Sequence, residues 1–144
     1  MPGKITIKDV PKERVVSLGG KEFSESRAME FIKKIMIWLS ERGIGVTDLP
    51  LVIVEENRSF EACVPIKEDL KGEGEFKIKT LPAHRVGEIL HENPEIPLSL
   101  SEGFLERQLR YQGFTLGRPY RYLFRANPSF PKKPFIIIQI PIHK

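Results

Sequence analysis

Apolar and polar residues alternate over 4–8, as a half-buried strand should, and Pro11 then marks a turn. Residues 14–18 read as a second strand ahead of Gly19 and Gly20. After Ser24, which suits a helix N-cap, the period changes: Ala28, Phe31, Ile32, Ile35 and Leu39 recur at helical spacing. Met29, Met36, Ile37 and Trp38 widen the apolar arc, which predicts a well-buried helix ended by Gly43. Residues 51–55 and 60–66 read as a strand pair with a turn near Asn57, and 67–74 as a charged connector. The plan then returns. Strands are predicted at 76–81 and 85–91, and Ser99-Leu100-Ser101-Glu102 fits a capping box. The helix that follows has Phe104, Leu105, Leu109 and Tyr111 on its apolar face and ends at Gly113. Closing strands are predicted at 120–125 and 135–140. The loop between them, 126–134, holds three prolines with Lys132 and Lys133 and is predicted to be exposed.

The return is visible in the residues themselves. Ile7-Lys8-Asp9-Val10-Pro11-Lys12-Glu13-Arg14-Val15 comes back as Ile78-Lys79-Thr80-Leu81-Pro82-Ala83-His84-Arg85-Val86. Val64-Pro65-Ile66 closes the first half and Ile140-Pro141-Ile142 the second. The chain therefore reads as one domain, 1–144, with internal repeats at about 1–66 and 75–144. The expected fold class is α+β: a duplicated strand-helix-hairpin module, forming an antiparallel sheet with two helices on one face. A ligand groove is expected between the halves, because seams of this kind often hold ligands. Departures from the repeat are where function is expected.

Strand alternation sorts the hairpin residues. Phe60, Ala62, Val64 and Ile66 match Ile136, Ile138, Ile140 and Ile142 as the set facing the helices. Glu61, Cys63 and Pro65 match Ile137, Gln139 and Pro141 on the opposite face, which is expected to be bare and groove-like.

Composition narrows the class. Hydrophobic residues at 40% and charged residues at 29% fit a globular protein. No apolar run approaches the ~18 residues that span a membrane, so no membrane partner and a cytoplasmic location are expected. The single cysteine, Cys63, excludes an internal disulfide and a cysteine-built zinc site. His84, His91 and His143 have no metal-ligand spacing, so no metal and no cofactor is assigned. Walker, dinucleotide-binding and Gly-x-Ser-x-Gly patterns are absent, and no catalytic residue is assigned. The net charge is only +4, yet no acidic residue follows Glu106, while Arg107, Arg110, Arg118, Arg121, Arg125, Lys132, Lys133 and Lys144 do. That bias points to an anionic partner or to acids supplied by the first half.

Phe60-Glu61-Ala62-Cys63-Val64-Pro65-Ile66, Leu81-Pro82 before 85–91, Trp38-Leu39 ahead of Gly43, Gly117-Arg118-Pro119 and Ile140-Pro141-Ile142 together carry a resemblance. The chain resembles the GyrI-like small-molecule-binding domains, also found as effector-binding domains of AraC-type and MerR-type multidrug-responsive regulators. The resemblance implies a duplicated module that binds an effector. With no helix-turn-helix ahead of it, it implies a stand-alone binding protein, and a separate regulatory protein is a candidate partner. Many members of the family carry a glutamate after the Gly-Pro turn that pairs with cationic drugs. Here Arg121 or Tyr120 falls at that position, which favours an anionic or neutral aromatic ligand.

The candidate ligand-binding residues are Glu61, Glu88, Tyr120, Arg121, Tyr122 and Gln139. Tyr120, Tyr122 and Phe124 share one strand face and either stack on a ligand or pack on a helix; the second choice turns Arg121 toward the groove. The leading reading is a protein that senses or sequesters an aromatic or amphipathic small molecule. One alternative is a hydrolase of reactive small molecules with Glu61 or Glu88 as general base. A weaker one is nucleic-acid or protein binding through the basic, aromatic C-terminal half.

Overall fold

The computed structural model describes residues 4–129 and 133–144. Lys132 and Pro131 of the predicted exposed loop lie outside the described residues. The elements in chain order are β1 (Thr6–Val10), β2 (Glu13–Gly20), α1 (Glu25–Glu41), β3 (Leu51–Val54), β4 (Phe60–Pro65), β5 (Lys77–Leu81), β6 (His84–His91), α2 (Leu98–Tyr111), β7 (Thr115–Leu116), β8 (Tyr120–Arg125) and β9 (Phe135–His143). They pack into two compact units. One spans residues 11–83; the other comprises residues 84–144 with the N-terminal strand β1.

In the first unit the antiparallel strand order is β3-β4-β2-β5. Helix α1 covers one face. Phe31 packs on Phe60 with ring centroids 5.1 Å apart, and Phe60, Ala62 and Val64 are all buried. Ser24 caps the helix by accepting a hydrogen bond from the Arg27 backbone N–H, satisfying one of the donors a helix start leaves open. Gly43 follows the last turn at φ +68°, a conformation that favours glycine. The helix buries a single stripe, Ala28, Ile32, Ile35, Trp38 and Leu39, and Ile37 is 52% exposed. The wide apolar arc therefore does not make α1 an all-round buried helix. Trp38 is core: it stacks on Phe76 at 5.1 Å, and the Arg42 guanidinium lies 4.1 Å from its ring.

In the second unit the antiparallel order is β1-β6-β9-β8, with β7 pairing the end of β9. Helix α2 covers one face of this sheet, with Leu109 against Gly87 of β6 and Glu106 and Glu102 accepting from Tyr120 and Tyr122 of β8. It begins at Leu98, with Pro97 at the N-cap position and no side-chain cap. The predicted capping box does not form. Ser99 is already inside the helix, Ser101 Oγ is 2.7 Å from His91 Nδ1, and Glu102 accepts from Tyr122. Tyr111 is 89% exposed and does not belong to the apolar face expected of it. Gly113 sits at φ +91° beyond the helix end.

The strand pairings carry a regularity of their own. Leu81 pairs Glu13 and Thr80 pairs Arg14 in the first unit. Val10 pairs His84 and Asp9 pairs Arg85 in the second. β1 thus joins β6 in the second unit, and β5 joins β2 in the first.

Gly87 lies on the helix-covered face of β6, where an added Cβ would sit 2.5 Å and 2.7 Å from the Leu109 methyl carbons. Leu109 is fully buried and has little room to yield. Gly87→Ala is expected to cost ~1–3 kcal/mol of unfolding free energy, as overpacking does. Urea denaturation checks this, and Leu109→Val in the same chain should recover part of the loss.

Candidate functional site

Strand β8 decides which side chains share a face. Tyr120, Tyr122 and Phe124 turn toward α2, where Tyr120 Oη donates to Glu106 Oε2 at 2.5 Å and Tyr122 Oη donates to Glu102. The fit is geometric. Glu102 and Glu106 are four residues apart on a helix, and the tyrosines two apart on a strand; both spacings are about 6 Å along the element. Burial and the Glu106 carboxylate hold the Tyr120 hydroxyl well above the usual phenol range. The tyrosines thus tie α2 to the sheet.

Alternation sends Arg121, Leu123 and Arg125 to the helix-free face. Register then builds a row across three strands. Arg121 on β8 is opposite Gln139 on β9, and Gln139 is opposite Glu88 on β6. Gln139 Nε2 donates to Glu88 Oε1 at 2.8 Å, and Lys8 Nζ lies 3.9 Å from the same oxygen. Exposure falls along the row: the Lys8 side chain is 52% exposed, that of Glu88 21%, and Gln139 only 2%. Arg121, at 4%, is also buried. The face expected to be bare is therefore closed at its centre.

The next row on this face is apolar. Leu90, Ile137 and Leu123 are aligned by the same pairings and are half-buried. A polar row thus runs beside an apolar one, within one sheet.

Three side-chain atoms of this face, Gln139 Oε1, His84 Nε2 and Arg121 Nε, are buried without a hydrogen bond of their own among the described residues, while Arg121 as a residue is not without a partner. Such an atom costs ~1–3 kcal/mol relative to a bonded one. The amide orientation of Gln139 follows from chemistry: a carboxylate only accepts, so nitrogen faces Glu88 and oxygen faces away. His84 shares the face of β6 with Val86 and Glu88. Burial, and then the charge of Arg121, hold its imidazole below the ordinary histidine range, favouring the neutral form.

The corresponding positions of the first unit are different. Ser17 on β2, Cys63 on β4 and Leu51 on β3 form the matching row, 1%, 0% and 1% exposed. Three small or apolar side chains there stand against Glu88, Gln139 and Arg121 in the second unit.

Of the residues singled out from sequence, Glu88, Gln139 and Arg121 are brought together. Tyr120 and Tyr122 lie on the other face of the same sheet, under α2. Glu61 belongs to the other unit, where its Oε1 accepts from Lys79 Nζ at 2.6 Å. Leu90 and His84 were missed. Their alternation with Glu88 on β6 was the available signal, but placing that strand beside Gln139 needs a register between segments 51 residues apart. Among the described residues no group of three His, Cys, Asp or Glu side chains is placed to hold a metal ion, and no helix is long and apolar enough to cross a membrane.

The depressed His84 pKa has a signed consequence. Between the folded value and the ordinary value of 6.5, the unfolded chain binds more protons, so stability falls as pH drops through this window. Thermal midpoints measured from pH 7.5 to 5.5 are expected to decline, and His84→Gln is expected to decline less. An identical decline in both would rule out a His84 contribution.

No protein-family model and no curated protein matches the chain. Solved structures do. The crystal structure of the EcmrR C-terminal domain superposes with a TM-score of 0.87 at 18% identity, covering 100% of this chain and 99% of that one. EcmrR in its DNA complex gives 0.84 at 19% identity; the match covers 98% of this chain and spans 57% of EcmrR. A hydrolase from Listeria innocua gives 0.66 at 12% identity over 97% and 92% of the two chains. SAV2435 bound to tetraphenylphosphonium gives 0.53 at 13% over 97% and 94%. Likeness at such identities speaks for the fold alone: the chain has the fold of the EcmrR C-terminal domain.

Proposed function

We propose that this chain binds an aromatic or amphipathic small molecule on the helix-free face of its second unit, and so senses or sequesters it. The carrying observation is the asymmetric row. Two units of like build place Ser17, Cys63 and Leu51 at one set of positions and Glu88, Gln139 and Arg121 at the other. A fold that closes with small and apolar side chains at these positions does not need an acid, an amide and a buried cation there. Buried charge is costly unless it is used, and replacing it by apolar groups is often neutral or stabilising. The adjoining Leu90, Ile137 and Leu123 supply an apolar bed for a ring. Likeness in fold to an EcmrR domain and to SAV2435 bound to tetraphenylphosphonium supports small-molecule binding as the class of function.

The duplication read from sequence is part of the same proposal. A shift of 71 residues carries Val10 and Asp9 onto Leu81 and Thr80, and Glu13 and Arg14 onto His84 and Arg85. Their pairings follow suit, which supports two copies of one module that exchange opening strands.

Transplanting the row of one unit into the other tests the proposal. The triple variant Glu88→Ser, Gln139→Cys, Arg121→Leu removes buried charge but also buried volume, and is expected to fold with stability within ~4 kcal/mol of wild type. It is also expected to lose saturable binding of naphthyl acids and amides in thermal-shift titrations. A variant that folds and binds these compounds like wild type would sink the proposal.

A further inference from the structure

The row specifies more than a place, provided the binding reading above holds. Gln139 has one amide group with two functions. Its nitrogen is given to Glu88, and its oxygen is a buried acceptor without a donor among the described residues. Native proteins rarely leave a buried acceptor in that condition. The missing complement is a hydrogen-bond donor.

Two neighbouring charges refine the choice. Arg121, 4% exposed, stands directly across the strand pair from Gln139, and its positive charge is felt as far as His84. A permanent cation brought to this row would meet like charge where water screens little. The Glu88 carboxylate is engaged by Gln139 and has Lys8 Nζ at 3.9 Å, so it is not an open receptor for such a cation. Glu88, with 21% of its side chain exposed, is the more accessible neighbour of the buried amide. A group arriving from that side can take over the Gln139 N–H while Glu88 turns to Lys8 and water.

We propose that the Glu88–Gln139–Arg121 row binds an uncharged headgroup carrying an N–H beside a carbonyl, of the carboxamide or lactam type. The ligand carbonyl accepts from Gln139 Nε2, and the ligand N–H donates to Gln139 Oε1. This reciprocal amide pair uses both functions of the side chain at once. The ring attached to the headgroup lies on Leu90, Ile137 and Leu123, one register step away. Tetraphenylphosphonium, present in the SAV2435 structure, has a full charge and no donor and cannot form this pair.

Matched probes separate the headgroup from the ring. We would titrate wild type by isothermal calorimetry with 2-naphthamide, N,N-dimethyl-2-naphthamide, 2-naphthoate and tetraphenylphosphonium. The primary amide is expected to bind roughly tenfold or more tightly than its dimethyl analogue, which keeps ring and carbonyl but lacks the N–H. Gln139→Met, similar in length, is expected to bring the two amides to equal affinity. The wild-type comparison stands even where that variant fails to fold. Equal affinities for the two amides in wild type, or tighter binding of tetraphenylphosphonium than of either, would overturn the headgroup assignment. Where those affinities also weaken together in Gln139→Met, the site itself stands. Failure of all four to bind wild type, or binding that Gln139→Met leaves untouched throughout, would overturn both the headgroup and the site.

Discussion

A strand must send consecutive side chains to opposite faces, and on Tyr120–Arg125 that constraint governs the helix-free face. The aromatic residues go to the helix because their hydroxyls find Glu102 and Glu106 there. Arg121 is thereby committed to the other face, beside Gln139. Reversing the strand would bring a guanidinium under α2 and strip two half-buried glutamates of their donors. Neither is tolerable in a close-packed interior. The tyrosine–glutamate pairs and the buried arginine are thus two sides of one register.

That register also explains how two units of one plan come to differ chemically. Nothing in the β-ladder distinguishes Gln139 from Cys63 or Arg121 from Leu51, since backbone pairing is indifferent to the side chain above it. The helix-covered faces of both hairpins keep the same apolar series, and the helix-free faces diverge. Substitution is cheap where the fold is held by the opposite face. The result is a scaffold stabilised on its helix side and specialised on the other.

Much of this plan was legible along the chain, for local reasons. Ser24 caps a helix start, Gly43 and Gly113 take positive φ beyond helix ends, and Tyr120–Arg125 runs as its aromatic alternation predicts. Illegibility began where distant partners outbid local ones. Ser101 and Glu102 fit a capping box, but His91 and Tyr122 claim them. Tyr111 is two turns on from Phe104 but only two residues from the buried Leu109, which puts it on the opposite side of the helix. The pairing of β1 with β6 and of β2 with β5 joins segments 60 or more residues apart, to which no periodicity is sensitive. For the site, residue types and faces were readable from alternation. The neighbour relations that turn Glu88, Gln139 and Arg121 into a row were not.

The most direct measurement is nuclear magnetic resonance of the isotope-labelled protein, following the Gln139 side-chain amide during titration with 2-naphthamide. The account predicts that both Gln139 Nε2–H resonances move saturably, together with the backbone amides of Leu90, Leu123 and Ile137. Saturable shifts that leave Gln139 unmoved and gather elsewhere on the chain would contradict it.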